Sequence, residues 1–193
     1  MSKKIKIAVL SCARVSSKRC PKKMIKDFCG TSLTDIFLKK LSKLKRRKVD
    51  VFFAGYEKIF KNKCKKHGIR FVQRSKKSAH IDKPASEIYN FLNYENYDYF
   101  LLVNACMPLL HEKTIYNFLN KCKKIKRPCF AVYNNNNYFI SSKNVPYNFK
   151  TSLKTINTKQ VDLVKEFAHA FYFFEKKYFI KNKWFWDWKK VKY

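Results

Sequence analysis

Short apolar segments typical of buried strands alternate with segments of helical periodicity over the first 130 residues of the chain. Strands are predicted at 5–10, 49–54, 69–73, 97–104 and 129–133, and another, rich in aromatic residues, at 168–174. Helices are predicted at 33–44, where Thr31 or Ser32 would cap the first turn, and at 58–66, 85–92, 112–123 and 176–181. This order predicts one α/β domain over residues 1–193, with three layers and a mostly parallel sheet.

Three polar loops follow predicted strands, at 11–26, 74–83 and 104–110. Because ligands of such sheets bind at the carboxyl ends of the strands, we expect these loops to converge on one binding site. The stretch 134–165 is polar and poorly patterned, and the sequence predicts no clear element there.

The chain carries 44 Lys and Arg against 13 Asp and Glu, a formal net charge of +31. The lysines are spread along the whole sequence, which favours a solvated basic surface that attracts polyphosphates and anionic sugars. No recognition-helix pattern accompanies the charge, so nucleic acid is not the expected partner, and a basic nucleic-acid-binding protein is the weaker alternative. Seven cysteines without a CxxC pair exclude a zinc ribbon and indicate a reduced, cytoplasmic protein. No segment is apolar enough for a membrane span.

The loop after the first strand carries the clearest chemical signal. Five cations lie between residues 13 and 23, interrupted by Ser16 and Ser17 and restricted by Pro21; they are Arg14, Lys18, Arg19, Lys22 and Lys23. Backbone amides, hydroxyl groups and several cations are what a triphosphate requires, and such cations stabilise the charge that develops when pyrophosphate leaves. The alternative is a solvated loop in a protein that is basic throughout.

This loop resembles that of acylneuraminate (CMP-sialic acid) cytidylyltransferases. The matching positions are Ala13, Arg14, Ser17, Lys18, Pro21 and Lys23, and the sequence departs from the family pattern at Ser16 and Met24. Further segments resemble family motifs in the same order, at 26–33, 74–82, 104–109 and 169–172. Arg19, Pro21 and Lys23 also resemble the loop pattern of the related cytidylyltransferases that activate 3-deoxy-manno-octulosonate. Together the similar segments cover roughly residues 5–181.

The resemblance implies a nucleotide-diphospho-sugar transferase-like fold of the GT-A type and a homodimer. It implies that CTP and Mg²⁺ activate a 2-keto sugar acid of the sialic, legionaminic or pseudaminic type, giving the CMP-sugar and pyrophosphate. The substituents that distinguish these sugars would be read from 134–165. The implied CTP-binding residues are Arg14, Ser16, Ser17, Lys18, Lys23, Arg74, Ser86 and Asn104. Lys23 and Arg14 would be catalytic, and His169 would contact the sugar.

The metal-binding part of the family pattern is not visible in this sequence. Beyond Tyr172 the only acids are Glu175 and Asp187, and Cys106 stands where the octulosonate enzymes have a metal-binding Asp. Three explanations stay open. Asp187 and another acid form the metal site, the site is incomplete, or the chain is an impaired relative that binds nucleotide without catalysis.

Overall fold

The computed structural model describes residues 5–79, 83–152, 154–155 and 157–193. The strands in this part of the chain are β1 (Ile7–Cys12), β2 (Asp50–Gly55), β3 (Arg70–Gln73), β4 (Tyr99–Val103), β5 (Cys129–Asn135) and β6 (Val164–Glu175). They form one sheet in the order β3–β2–β1–β4–β6–β5. The pairs β1–β2, β1–β4 and β2–β3 are parallel, whereas β6 is antiparallel to both β4 and β5. Five strands therefore share one direction, and the predicted mostly parallel sheet is confirmed.

The helices connect the strands and cover both faces of the sheet. They are α1 (Leu33–Arg46), α2 (Lys58–Lys66), α3 (Ala85–Ile88), α4 (Glu112–Ile125) and α5 (Lys176–Asn182). Ser32 caps α1, because its hydroxyl oxygen accepts a hydrogen bond from the backbone N–H of Asp35 at 3.2 Å. His111 caps α4 in the same way, through Nδ1 and the N–H of Lys113. Among the described helices the longest have 14 residues, and none is long and apolar enough to cross a membrane.

Two apolar clusters, one on each face of the sheet, make the three layers. Alternate residues of β1 point to opposite faces, so Val9 joins one cluster while Ala8 and Leu10 join the other. The first cluster is covered by α1, α2 and α4, which bury among others Phe37, Leu41, Phe60, Ile115 and Leu119. The second is covered by residues near α3 and by the C-terminal segment, including Phe91, Leu92, Phe179, Phe185 and Trp186. Each large apolar side chain buried in this way contributes roughly 1.5–3 kcal/mol.

Two elements differ from the sequence prediction. The predicted helix 85–92 ends as an α-helix at Ile88 and is followed by a 3₁₀ turn, Asn90–Tyr94. Pro84 supplies no side-chain cap, and Asn90 and Asn93 are weak helix formers, so Phe91 and Leu92 reach the core from the tighter turn. The predicted strand 168–174 is longer in the structure, where β6 has 12 residues. The sequence pattern hid its first residues because Lys165 and Glu166 are charged and exposed.

The described residues of the stretch 136–163 form an extension beyond β5 and β6. Ile140 and Pro146 make an antiparallel bridge, and a 3₁₀ turn follows at Thr158–Gln160. Asn148 is buried and ties the extension together, because its amide bonds to the backbone of Asn137, Phe139 and Asp162 at 2.8–2.9 Å. The sequence did not predict this order, since the bonds of one asparagine leave no periodic signal.

Candidate active site

The three predicted loops meet at the carboxyl ends of the strands. The backbone N–H of Ala13 donates to the carbonyl of Ala54 at 3.1 Å, and that of Asn104 donates to Ala170 at 3.0 Å. Loop 11–26 touches loop 104–110 where the thiol of Cys106 lies 3.6 Å from the sulfur of Met24. It also touches residues 74–79, through Arg74. The predicted convergence is therefore confirmed for the described residues, although residues 80–82 of the loop 74–83 lie outside them.

The basic loop is an arch anchored at both ends. At its start, the N–H of Val15 donates to Oε1 of Glu57 at 2.8 Å. At its end, the carbonyl of buried Met24 accepts the backbone N–H of Thr34 at 3.1 Å and the Thr34 hydroxyl at 2.6 Å. A turn lies between the anchors, where the N–H of Lys23 donates to the carbonyl of Cys20 at 3.2 Å. Residues 16–23 are thus held over the end of β1.

The groups predicted to hold a triphosphate lie on or beside this arch. Ser16, Lys18, Arg19 and Lys22 are exposed, while Arg14, Ser17 and Lys23 are half-buried. The Ser17 hydroxyl oxygen accepts the N–H of Cys20 at 3.4 Å, so it also shapes the turn. Hydroxyl groups and cations are therefore concentrated at one place at the carboxyl edge. Their contacts with CTP, and the catalytic roles of Lys23 and Arg14, stay predictions.

Glu57 is a residue of this site that the sequence analysis missed. It lies just beyond β2 and precedes α2, yet its carboxylate does not cap its own helix. Oε1 holds Val15, and Oε2 is buried without a hydrogen-bond partner among the described residues. An acid three residues beyond the predicted second strand was a usable signal, because that position lies at the edge where the loops were expected to converge.

Arg74 joins two of the loops from a buried position, with 4% of its surface exposed. Its Nε donates to the Ser78 hydroxyl at 3.0 Å, Nη1 donates to the Ala13 carbonyl at 3.4 Å, and Nη2 donates to the Ser78 carbonyl. Three of the five guanidinium N–H groups are thereby used within the protein. Ser86 is half-buried on α3 nearby in sequence. That Arg74 and Ser86 face the cytidine or its ribose stays a prediction.

A half-buried thiol, Cys12, ends β1 and precedes the arch in sequence. Burial raises the pKa of Cys12, and the positive charges of Arg74 and Arg14 together with a hydrogen bond to Tyr89 only partly oppose it. Burial also raises the pKa of Tyr89 well above its ordinary value. Both groups are therefore neutral near pH 7. Because the thiolate is the nucleophilic form, Cys12 is a structural residue of the site.

Asn104 is oriented by the protein backbone. Its Nδ2 donates to the His169 carbonyl at 3.0 Å, and its Oδ1 accepts the N–H of Cys106 at 2.9 Å. The turn that follows is tied to α1 by Lys40, whose ammonium donates to the carbonyls of Met107 and Pro108 at 2.9 and 2.7 Å. Burial lowers the pKa of Lys40. The predicted contact of Asn104 with CTP is untested, but the side chain is fixed in one orientation.

His169 lies at an irregularity of β6. The register between β5 and β6 shifts between Phe130 and Val132, and His169 itself has a φ of +50°. His169 is exposed, its ring stacks on that of Phe167 with 27° between the planes, and its Nδ1 lies 2.6 Å from the hydroxyl oxygen of Tyr172. The Tyr172 ring lies almost parallel to that of Trp186, with 5.7 Å between centroids. The structure thus presents an imidazole beside the site, and its predicted contact with a sugar remains a prediction.

The described residues contain no group of three or more His, Cys, Asp or Glu that could hold a metal ion. Asp187 accepts the N–H of Lys189 at 3.0 Å, and its carboxylate lies 3.7 Å from the Lys190 ammonium. It therefore stabilises the C-terminal turn. Cys106 offers a thiol, which is a poor ligand for Mg²⁺. The donor set does not fit a protein-held Mg²⁺ site, and the metal role predicted for Asp187 has no support from this arrangement.

Comparison with solved structures gives the same fold. CMP:2-keto-3-deoxy-manno-octonic acid synthetase complexed with CTP is similar at a TM-score of 0.66 and 12% identity, over 92% of this chain and 77% of that one. The 4-diphosphocytidyl-2C-methyl-D-erythritol synthase of Anaerococcus prevotii DSM 20548 is similar at 0.62 and 16%, over 92% and 73%. A cytidylyltransferase of Leptospira borgpetersenii serovar Hardjo-bovis is similar at 0.61 and 14%, over 93% and 64%.

These likenesses confirm the predicted α/β nucleotide-diphospho-sugar transferase type of fold. Among proteins of curated function, none matches the sequence. The profile of the family described as "Cytidylyltransferase" matches residues 8–185 and so spans the arch, Arg74, Asn104 and β6. The chain belongs to the cytidylyltransferase family, and it is a nucleotidyltransferase.

Proposed function

We propose that the protein transfers the cytidylyl group of CTP to the anomeric hydroxyl of a 2-keto sugar acid. The sugar oxygen forms a bond to the α-phosphorus, the bond from that phosphorus to the β-phosphate oxygen breaks, and the hydroxyl proton passes to water. The products are the CMP-sugar and pyrophosphate. The observation that carries the proposal is the anchored arch 16–23, which concentrates cations and hydroxyl groups beside Arg74 and Asn104.

The reaction requires stabilisation of negative charge on the leaving pyrophosphate. Lys23 is half-buried on the arch, next to the anchor at Met24, and Arg14 lies at the start of the arch. Cations held in place before the reaction stabilise developing charge at little cost in reorganisation. We therefore assign Lys23 to the leaving phosphates and Arg14, Ser16, Ser17 and Lys18 to the rest of the triphosphate.

The acceptor is inferred from two similarities. The segment 169–172 resembles the late strand of enzymes that activate nine-carbon 2-keto sugar acids, and one structural neighbour is a 2-keto-3-deoxy-manno-octonic acid synthetase. His169 would contact the acceptor, because its ring is exposed and its orientation is set by Tyr172. The extension 136–163 stands beside these residues in sequence and would read the substituents of the sugar.

Mg²⁺ would enter this reaction as the usual partner of a nucleotide triphosphate, since it binds readily to substrate phosphates. The described residues provide no ligand set of their own for it, so the protein would stabilise the developing charge through Lys23 and Arg14. The same observation favours a second candidate function, a relative that binds CTP without transferring the cytidylyl group.

We also propose a homodimer. Five large apolar side chains are exposed on and beside the extension; they are Tyr133, Ile140, Val145, Tyr147 and Leu163. Apolar side chains grouped in this way are typical of contact surfaces. Sedimentation equilibrium at micromolar concentration measures the mass directly, and a monomer at all concentrations would contradict this part of the proposal.

The decisive experiment measures pyrophosphate release with CTP, Mg²⁺ and a panel of 2-keto sugar acids. We expect the Lys23→Ala variant to lose at least about 10²–10³-fold in turnover, the usual cost of removing one group that stabilises transition-state charge. Lys26→Ala is the matched control, because Lys26 is an exposed lysine at the end of the same loop.

Three outcomes are informative. Release by the wild-type protein, loss in Lys23→Ala and retention in Lys26→Ala support the proposal. Unchanged CMP-sugar formation by Lys23→Ala contradicts the assignment of the arch. Calorimetric binding of CTP to the wild-type protein without any release supports the second candidate instead.

A further inference from the structure

The edge of the sheet opposite the candidate active site gathers a large part of the positive charge. The turns that follow α1, α2 and α4 lead into the amino ends of β2, β3 and β5. Residues 45–48, 65–66 and 121–127 belong to these helix ends and turns, and 11 of these 13 residues are Lys or Arg. In the whole chain the figure is 44 of 193. We call these three segments the basic edge.

The cations of the basic edge are exposed and pair with no carboxylate among the described residues. All eleven are exposed, and none has an ion-pair partner within 4.0 Å in the part of the chain that the structure describes. Lys45 bonds to the carbonyl of Gly68 at 2.8 Å, which joins the ends of α1 and α2. Interaction with helix dipoles falls off within the last turn, and Arg47, Lys48 and Arg127 lie beyond the helices. Helix stability therefore does not account for the whole cluster.

A groove of about 1030 Å³ opens along the basic edge, remote from the arch. Its cations are Lys48, Lys123 and Lys126, together with Lys6 and Arg70, and Tyr97 and Tyr99 also line it.

The tyrosines of this groove are fixed by aromatic packing. The ring of Tyr99 stacks on Phe173 with 5.1 Å between centroids and an angle of 5°, and Tyr97 stacks on Phe52 at 6.3 Å. Two acids, Asp50 and Glu95, also line the groove, and Glu95 is neutralised by Arg70, whose Nη1 and Nη2 both donate to its carboxylate. The groove therefore combines half-buried aromatic rings with lysines that lack carboxylate partners among the described residues.

We propose that the basic edge binds single-stranded nucleic acid. A row of cations suits the evenly spaced phosphates of a strand, and aromatic rings in a positively charged groove stack on bases. An anionic membrane would require a flat surface, and a short acidic peptide would not use the tyrosines. The sequence disfavoured nucleic acid because the lysines are spread along it, but the fold brings three separated segments together.

The test uses the full chain and a fluorescently labelled 12-nucleotide oligo-U, with excess CTP present to occupy the proposed catalytic site. Anisotropy at several salt concentrations gives the affinity and its salt dependence. The variant replaces Lys121, Lys123, Lys124 and Lys126 with Gln. We expect at least a tenfold loss of affinity at 0.1 M salt. The logarithmic salt slope should fall by about 2–3, because each phosphate that a lysine neutralises on a single strand adds about 0.7 to it.

The matched control replaces Lys143, Lys150, Lys154 and Lys159 with Gln, which removes the same charge from exposed positions of the extension. Equal losses in both variants would overturn the proposal, because the affinity would then reflect net charge alone. An abasic strand of equal length should bind at least threefold more weakly than oligo-U. Equal binding of the abasic strand and oligo-U would also overturn the proposal. So would a basic-edge variant that loses binding to anionic phosphatidylserine vesicles but binds oligo-U like the wild type. Pyrophosphate release should be unchanged in the basic-edge variant.

Discussion

The two edges of the sheet use charge in opposite ways. At the carboxyl edge, Arg74, Glu57 and Lys40 each bond to a loop backbone, and these bonds set the shape of the site. At the amino edge, the connections are short turns and the cations of the basic edge point to solvent without carboxylate partners among the described residues. The carboxyl edge is therefore organised before any ligand arrives. At the basic edge, Lys45 bonds to Gly68 and Arg47 lies over the ring of Tyr116, but the other cations face solvent and are available to a ligand.

The difference between the edges also separates stability from binding. A buried charged group with fixed partners contributes to folding, since removing it leaves the partners unsatisfied. An exposed lysine or arginine without partners contributes little to folding. Replacing residues at the carboxyl edge should thus change stability and CTP binding together, while replacements at the basic edge should change binding of anions alone.

The largest effect on stability is expected for Arg74→Met. The replacement leaves the buried carbonyl of Ala13 and the hydroxyl of Ser78 without their donor, and we expect a loss of about 2–4 kcal/mol in the free energy of unfolding. Urea denaturation followed by circular dichroism measures it. Arg46→Met at the basic edge is the matched control and should change stability by less than about 0.5 kcal/mol. Similar losses of unfolding free energy in the two variants would show that the charged residues of the two edges contribute equally to stability.

A smaller effect is expected for the anchor of the arch. Glu57→Ala removes the acceptor of the Val15 N–H, and a hydrogen bond to a charged group contributes about 1.5–3 kcal/mol. We expect calorimetry to show CTP affinity reduced about tenfold, with Glu57→Gln close to wild type because an amide oxygen still accepts the bond. Tighter binding by Glu57→Ala would mean that the carboxylate competes with phosphate for that amide.

Much of the fold could be predicted from the sequence because local patterns determine it. The apolar periodicity located β2, α1 and α2 to within two residues, and Ser32 was one of the two predicted caps. The position of β6 between β4 and β5 could not be predicted, because strand order depends on contacts between distant segments. The order within 136–163 depends on bonds of Asn148 and was hidden for the same reason.

The candidate site could be predicted where its residues are consecutive in one loop. It could not be predicted where side chains from distant parts of the sequence contact that loop. The arch and its cations lie in consecutive residues, so their composition was visible. Glu57 and Lys40 act on the site through backbone bonds to residues 42 and 67 positions away, which no local pattern indicates. The basic edge was missed in the same way, because its three segments are far apart in the sequence.

The smallest effect is expected for Asp35→Asn. Asp35 pairs with Lys63, a cation near the end of α2, whereas the cations of the basic edge have no carboxylate partner among the described residues. Burial tends to raise the pKa of Asp35, but hydrogen bonds from Lys63, Ser32 and His67 outweigh it and lower the pKa to about 2. A carboxyl group with a depressed folded-state pKa stabilises the protein above its unfolded value of 3.8, and this stability is lost as the pH falls toward 2.

We therefore expect Asp35→Asn to cost about 1–2 kcal/mol at pH 7, allowing for solvent screening, and the difference from wild type to narrow below about pH 4. Urea denaturation at pH 7, 5, 4 and 3 measures this difference in stability. Lys65→Gln is the control, because Lys65 has no ion pair among the described residues. A constant difference across that range would show that Asp35 stabilises the protein through packing. Pairing with a carboxylate would then add no stability to a cation at a helix end.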